Sequence, residues 1–193
     1  MHQLMQSHRL ATIVHQGVDT LEANHIPLLI DPTRGPNGTL VGHVARANPI
    51  WQQAANQEML AIFQGPQAYI SPSWYVSKQR HGKVVPTWNY AVVHAHGTLR
   101  AIDDPEWLLA HVGAMTENNE RDQPQPWRVS DAPAEFIDTM LKAIVGIEIS
   151  ITRLTGKWKV SQNRSAEDRA GVIDGLSADG LYAMAALVKQ SAP

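Results

Sequence analysis

Asn89-Tyr90-Ala91-Val92-Val93-His94-Ala95-His96-Gly97-Thr98-Leu99-Arg100-Ala101-Ile102 is the longest strand signal in the chain. Successive strand side chains point to opposite faces. Val92, His94, His96, Thr98 and Arg100 therefore share one face, and Ala91, Val93, Ala95 and Leu99 the other. The second face is small and apolar and is expected to meet a core. Outward from this segment, Leu10–His15, Leu21–Ile30, Thr39–Ala45, Met59–Phe63 and Ile147–Val160 alternate or run apolar with β-branched content. Val18-Asp19 offers a turn, and Asp31–Gly38 is a loop by its Pro, Gly and Asn content. Strands outnumber helices and arrive in meander order. That pattern predicts a mainly β (α+β) chain, an antiparallel barrel with peripheral helices.

The helical signals are fewer. Pro49–Ala55 reads as a turn or two, and Lys78–Lys83 as a solvated basic loop. Asp104-Pro105-Glu106 supplies a cap, a proline at the first helical position and a first-turn acid. Trp107, Leu108, His111, Val112 and Met115 follow as a stripe, and polar Glu117–Gln125 reads as a mobile connection. A second helix is expected from Ser130 or Asp131, through Phe136, Met140, Leu141 and Ile144, to a stop at Gly146. Ser165–Asp168 resembles a capping box, and Asp179–Lys189 could form a last helix.

At 193 residues the chain is read as one domain, 1–193, with 164–193 a C-terminal helical appendage. Cysteine is absent, which excludes thiolate metal sites, cysteine nucleophiles and disulfide scaffolds. No apolar run reaches the ~18 residues of a membrane span, and the N-terminus lacks a secretory pattern. The expected location is cytoplasmic, with no membrane partner. The formal net charge of −2 gives no overall field favouring nucleic acid. Arg153–Arg164 is nevertheless basic and free of acids. That suggests a bound anion such as phosphate, or else a strand pairing with acids elsewhere.

Gln64–Tyr75 and Val85–Tyr90 concentrate Tyr and Trp beside Ser, Thr and Asn. Aromatics with polar tips suit a planar polar ligand, and a plain core would avoid so many groups needing partners. Ser73, Trp74, Tyr75, Trp88 and Asn89 are the candidates there, against a Trp-rich loop capping the core. Gly42–Pro49 ends a strand in Arg46 and Asn48, a guanidinium fork and an amide that suit a phosphate; an ordinary surface ion pair is the competing reading. In the late strand Lys157 and Lys159 share a face with Ser161, and Trp158 lies opposite with Gln162. Two like charges on one face call for an anion. Of nine histidines, His94 and His96 fall on one strand face at a spacing that can chelate, but no acid accompanies that strand until Asp103. The histidines are therefore read as interface or core polar residues, and no metal is assigned. HExxH, GxSxG, P-loop and GxGxxG patterns are all absent, and no catalytic group is assigned.

Together, Leu21–Leu28, Gly42–Pro49, Phe63–Tyr75, Pro86–His96 and Lys157–Arg164 resemble the PaiB family, described as FMN-binding negative transcriptional regulators. The likeness runs from about Leu4 to Arg169. It implies the FMN-binding split-barrel fold, shared with pyridoxamine phosphate oxidases and flavin reductases, and a homodimer with FMN in clefts at the subunit interface. It places Arg46 and Asn48 at the FMN phosphate and brings Lys157–Gln162 to the flavin. Ser73, Trp74 and Tyr75 rest on their chemistry alone. DNA or another regulatory partner is implied only by the family's description. A flavin-dependent oxidoreductase and a haem-binding split barrel remain the alternatives. The family usually begins with a segment of a dozen or more residues preceding the equivalent of Met1. Its absence here reflects either a misassigned start or a real loss, and if that segment covers the cleft a reduced FMN affinity is expected. Arg9 stands where relatives often carry Pro.

Overall fold

Alternating apolar side chains produce six strands: β1 (Leu10–Gln16), β2 (Leu21–Asp31), β3 (Thr39–Ala45), β4 (Glu58–Ile70), β5 (Thr87–Ile102) and β6 (Ile144–Lys159). The computed structural model describes residues 1–191. It divides into two compact units, Met1–Phe63 with His94–Thr155, and Gln64–Val93 with Gly156–Pro193. The last two positions of the expected appendage, 192 and 193, lie outside the described residues.

In the first unit the strands form a closed antiparallel barrel in the order β1-β2-β3-β6-β5-β4. β1 and β2 pair from Gln16↔Leu21 to Leu10↔Pro27, and β2 and β3 from Asp31↔Thr39 to Leu28↔Gly42. β3 lies on β6 from Thr39↔Ser150 to Ala45↔Ile144, and Thr12↔Ile62 joins β1 to β4. Ile13, Leu28, Leu40, Phe63, Leu99 and Ile147 are fully buried inside. The face expected for Ala95 and Leu99 is correct: both are inaccessible, whereas His94, His96 and Thr98 are partly exposed.

α1 is His2–Ser7 and α2 is Ile50–Gln53. α4 (Pro105–Glu120) begins at Asp104, whose carboxylate accepts from the Glu106 and Trp107 N–H groups. It runs through half of the stretch expected to be a connection. Asn118 and Asn119 bond back to the Ala114 and Met115 carbonyls, and Arg9 donates to the Asn118 carbonyl at 3.3 Å. A cation on late helical carbonyls supports a C-terminus, so Arg9 has a role that its position in sequence hides. Ser130 and Asp131 sit in a 3-10 turn, and the helix proper, α5, is Ala134–Lys142. It stops before Gly146 because Ile144 already pairs with Ala45 as the first residue of β6. Gly146 is needed for another reason: a Cβ there would lie 2.3 Å from the Trp107 ring.

In the second unit, the parts of β4, β5 and β6 within it accompany α3 (Ser77–His81), α6 (Ala166–Ala178) and α7 (Tyr182–Gln190). Ile70, Tyr75, Val172, Leu176 and Val188 belong to one core. Lys78–Lys83 is mostly a helical turn rather than a loop, closed by Gly82 at φ +66°. Only half of the capping box forms. Ser165 Oγ accepts from the Asp168 N–H, but the Asp168 carboxylate takes Ser77 instead. Asp179 ends α6 rather than beginning α7. Among the described residues no helix is long and apolar enough to cross a membrane.

Candidate functional site

The first unit holds Arg46 and Asn48 at the end of β3. Arg46 donates twice to the Asp103 carboxylate, at 2.6 and 3.0 Å, and also to the Lys142 and Ile144 carbonyls. Four of its five N–H groups are thus engaged. The Asn48 amide donates to Asn24 Oδ1 at 2.8 Å, while its oxygen accepts from the Ile50 N–H. Nearby on β3, His43 Nδ1 lies 3.2 Å from His111 Nε2, and Trp107 stacks on His111 with centroids 5.1 Å apart. Burial pushes His111 down to about 4, with the neighbouring His43 adding to the effect; burial lowers His43 too. Neither this pair nor Arg34–Glu148–Arg100 stands out in the sequence. The helical stripe did contain Trp107 and His111, which was the available signal. No group of three or more His, Asp or Glu among the described residues could hold a metal.

The second unit holds the other eight candidates. Lys159 donates to Thr87 Oγ1, and Asn89, fully buried on β5, bonds Ser161 Oγ at 2.9 Å. This joins the start of β5 to the end of β6. Ser161 has left the strand (φ +59°), so the shared face expected for Lys157, Lys159 and Ser161 breaks after Lys159. The Gln162 side chain bonds the Val160 N–H and the Trp158 carbonyl. The Lys157 side chain is exposed and makes no hydrogen bond or ion pair among the described residues. Trp88 is 54% exposed and meets Tyr69 edge to face at 6.1 Å.

Ser71–Tyr75 is pinned from inside. Tyr75 is core, with the Arg164 guanidinium 4.6 Å above its ring. Trp74 packs against the same core, and Ser73 Oγ accepts from the exposed Lys78 Nζ at 3.1 Å. Tyr75 OH and Asn89 Oδ1 are buried without a partner among the described residues. Such atoms need a water or a ligand.

Charge separates the units. The second carries eight Lys and Arg against four Asp and Glu, a formal +4; the first carries eight against fourteen, −6. The segment 64–93 contains no acid at all. The donor set at the end of β6, cationic and partly uncommitted, fits an anionic group. Arg46 and Asn48 would each have to exchange internal bonds to do so.

The barrel is that of flavin-binding split-barrel proteins. Its structural neighbours include the flavocytochrome Anf3 from Azotobacter vinelandii, with TM-score 0.60 and 12% identity over 87% of this chain and 70% of that one. Another is the FAD and heme binding protein from Mycobacterium smegmatis, with TM-score 0.58 and 15% identity over 88% and 75%. Identity so low establishes the fold alone. The family model "Putative FMN-binding domain" matches residues 1–153. The protease synthase and sporulation protein PAI 2 of Bacillus subtilis is 32% identical over 89% of this chain and 80% of its own. An uncharacterized Aspergillus fumigatus protein is 36% identical over 81% and 76%. The chain belongs to this FMN-binding-domain family, the PaiB family recognised from its motifs.

Proposed function

We propose that the protein is a cytoplasmic, homodimeric FMN-binding regulator of the PaiB type. The observation that carries this reading is its 32% identity to PAI 2 across most of both chains. The positive charge of the second unit supports an anionic cofactor there. Lys157 and Lys159 would hold the phosphate, with Trp88, Asn89 and Gln162 beside them; Ser73 completes that side, on a segment that Trp74 and Tyr75 anchor. Arg46 and Asn48, in the first unit, are a separate phosphate candidate that would have to give up Asp103 and Asn24, so the reading rests on β6 rather than on them. FMN, when bound, supplies the redox-active ring, and the protein supplies binding and orientation. As a regulator the chain would act on DNA or through a protein partner according to flavin status.

FMN is expected to bind with a Kd of about 1 μM or below, giving quenched flavin fluorescence. FAD and haem serve as controls, and the bound absorption spectrum separates the three. Lys157→Ala should weaken FMN by about 1.5–3 kcal/mol, the loss of a charged hydrogen bond. No saturable FMN binding would refute the cofactor assignment. NAD(P)H oxidation at steady state would instead mark an oxidoreductase.

A homodimer follows from the same reading. An isologous interface of roughly 2,000 Å² or more would cover exposed apolar side chains, of which Trp88, Trp127 and Phe136 are examples. Light scattering at low micromolar concentration should report twice 21.3 kDa. A mass near that of one chain would count against it.

A further inference from the structure

The C-terminal helix α6 lies beyond residues 1–153, which the family model covers, yet it holds the aromatic segment from several sides. The Asp168 carboxylate, itself buried, accepts from the Ser77 N–H at 2.9 Å and the Ser77 hydroxyl at 2.8 Å. One position earlier on the helix, Glu167 pairs with Arg80 at 2.7 Å. Gly171 and Gly175, one helical turn apart, form a notch that receives Trp74. A Cβ at 171 would lie 2.0 Å from the Trp74 carbonyl oxygen, and one at 175 would lie 2.3 Å from the indole ring. Real Cβ atoms do not approach so closely, and at 171 the obstacle is backbone, which cannot swing aside.

Two interior glycines weaken a helix relative to alanine. Their presence in α6 is explained by what they admit. Asp168 likewise forgoes the reciprocal bond of a capping box in order to take Ser77.

We infer that α6 is a clamp, and that Asp168, Gly171 and Gly175 are positioning residues that set residues 71–83 for ligand binding. Trp74 and Tyr75 then serve as the anchor of the segment. Its outward groups, the Ser73 hydroxyl and the Lys78 ammonium bonded to it, are what a ligand would meet. The clamp fixes which way they face before anything binds, which lowers the ordering cost of binding. The part of this inference that concerns FMN rests on the function proposed above.

Gly175→Ala and Gly171→Ala decide the matter, because helix propensity and the clamp predict opposite outcomes. Propensity alone makes each variant tighter. The clamp predicts expulsion of Trp74, and with it faster trypsin cleavage at exposed Lys78, Arg80 and Lys83 by about tenfold or more as the segment opens locally. Cleavage after Arg121 and Arg128 should stay unchanged and serves as an internal reference. Asp168→Ala should open the segment similarly. Asp168→Asn, which keeps an acceptor for Ser77, should restore most of the protection. This rescue and the local cleavage pattern distinguish positioning from general loss of stability, even if one glycine variant folds poorly.

FMN titration of the same variants completes the test, with an expected weakening of about tenfold or more. Unchanged cleavage in both glycine variants and in Asp168→Ala would overturn the clamp. Faster cleavage with unchanged FMN affinity would overturn the positioning role. Wild-type protein that binds no FMN would overturn the cofactor assignment and the positioning role with it, whereas the cleavage pattern would still decide the clamp.

Discussion

Arg34→Ala is expected to cost about 3 kcal/mol of stability at neutral pH, a larger loss than removing the carboxylate it serves. Glu148 sits in mid-strand on β6, opposite Val41 of β3, and is only 4% exposed. Arg34 grips it through two bonds, at 2.6 and 2.9 Å, and Arg100 adds a third at 2.7 Å. Without Arg34, a buried carboxylate keeps one partner, and that partner is 68% exposed. Glu148→Gln instead releases two arginines that already reach solvent, so its cost should be about 1–2 kcal/mol. The Arg34 bonds, followed by those of Arg100, outweigh burial and hold the Glu148 carboxyl down at about 2, from an ordinary 4.5. A depressed carboxyl stabilises the fold above 4.5, and that contribution is lost as pH falls toward 2. Urea midpoints for the two variants at pH 7 test the order. An Arg34→Ala loss within about 0.5 kcal/mol of zero would mean that water screens the pair.

How much of this was legible in the sequence varied with the range of the interaction. β3 was read at Thr39–Ala45 and formed there, because alternation is a local signal and Pro49 ends it nearby. The Asp104 cap and the Ala95–Leu99 core face were local too. The ends of α4 and α5 were not. One depends on Arg9, more than a hundred residues away, and the other on a strand pairing with Ala45. For the site, the residue types were legible but their commitments were not. Nothing near Arg46 in sequence announces Asp103, and nothing near Trp74 announces two glycines on α6. The net charge of −2 also hid two units of opposite sign, because a whole-chain sum averages what folding separates.

Acid should destabilise the protein well before Glu148 titrates, and the His43–His111 pair is the reason. His111 is 6% exposed, its ring stacked on Trp107 and its Nε2 against His43. Two neutral imidazoles can share one N–H between these nitrogens; two cations at that distance cannot coexist in a buried site. Burial first, and His43 second, bring His111 from 6.5 to about 4. The folded state therefore binds fewer protons than the unfolded chain between those values. The stabilisation is complete above pH 6.5 and falls by about 3 kcal/mol as the pH drops to 4. His43, lowered by burial as well, acts in the same direction. This window lies above that of Glu148, so stability should fall in two stages. His111→Phe keeps an aromatic ring beside Trp107 and removes the proton, and should flatten the upper stage. Urea midpoints at intervals from pH 7 to pH 4, alongside NMR titration of the His111 ring protons, provide the check. A His111 that titrates near 6.5 in the folded protein, with a flat wild-type profile across this range, would show that water reaches the pair.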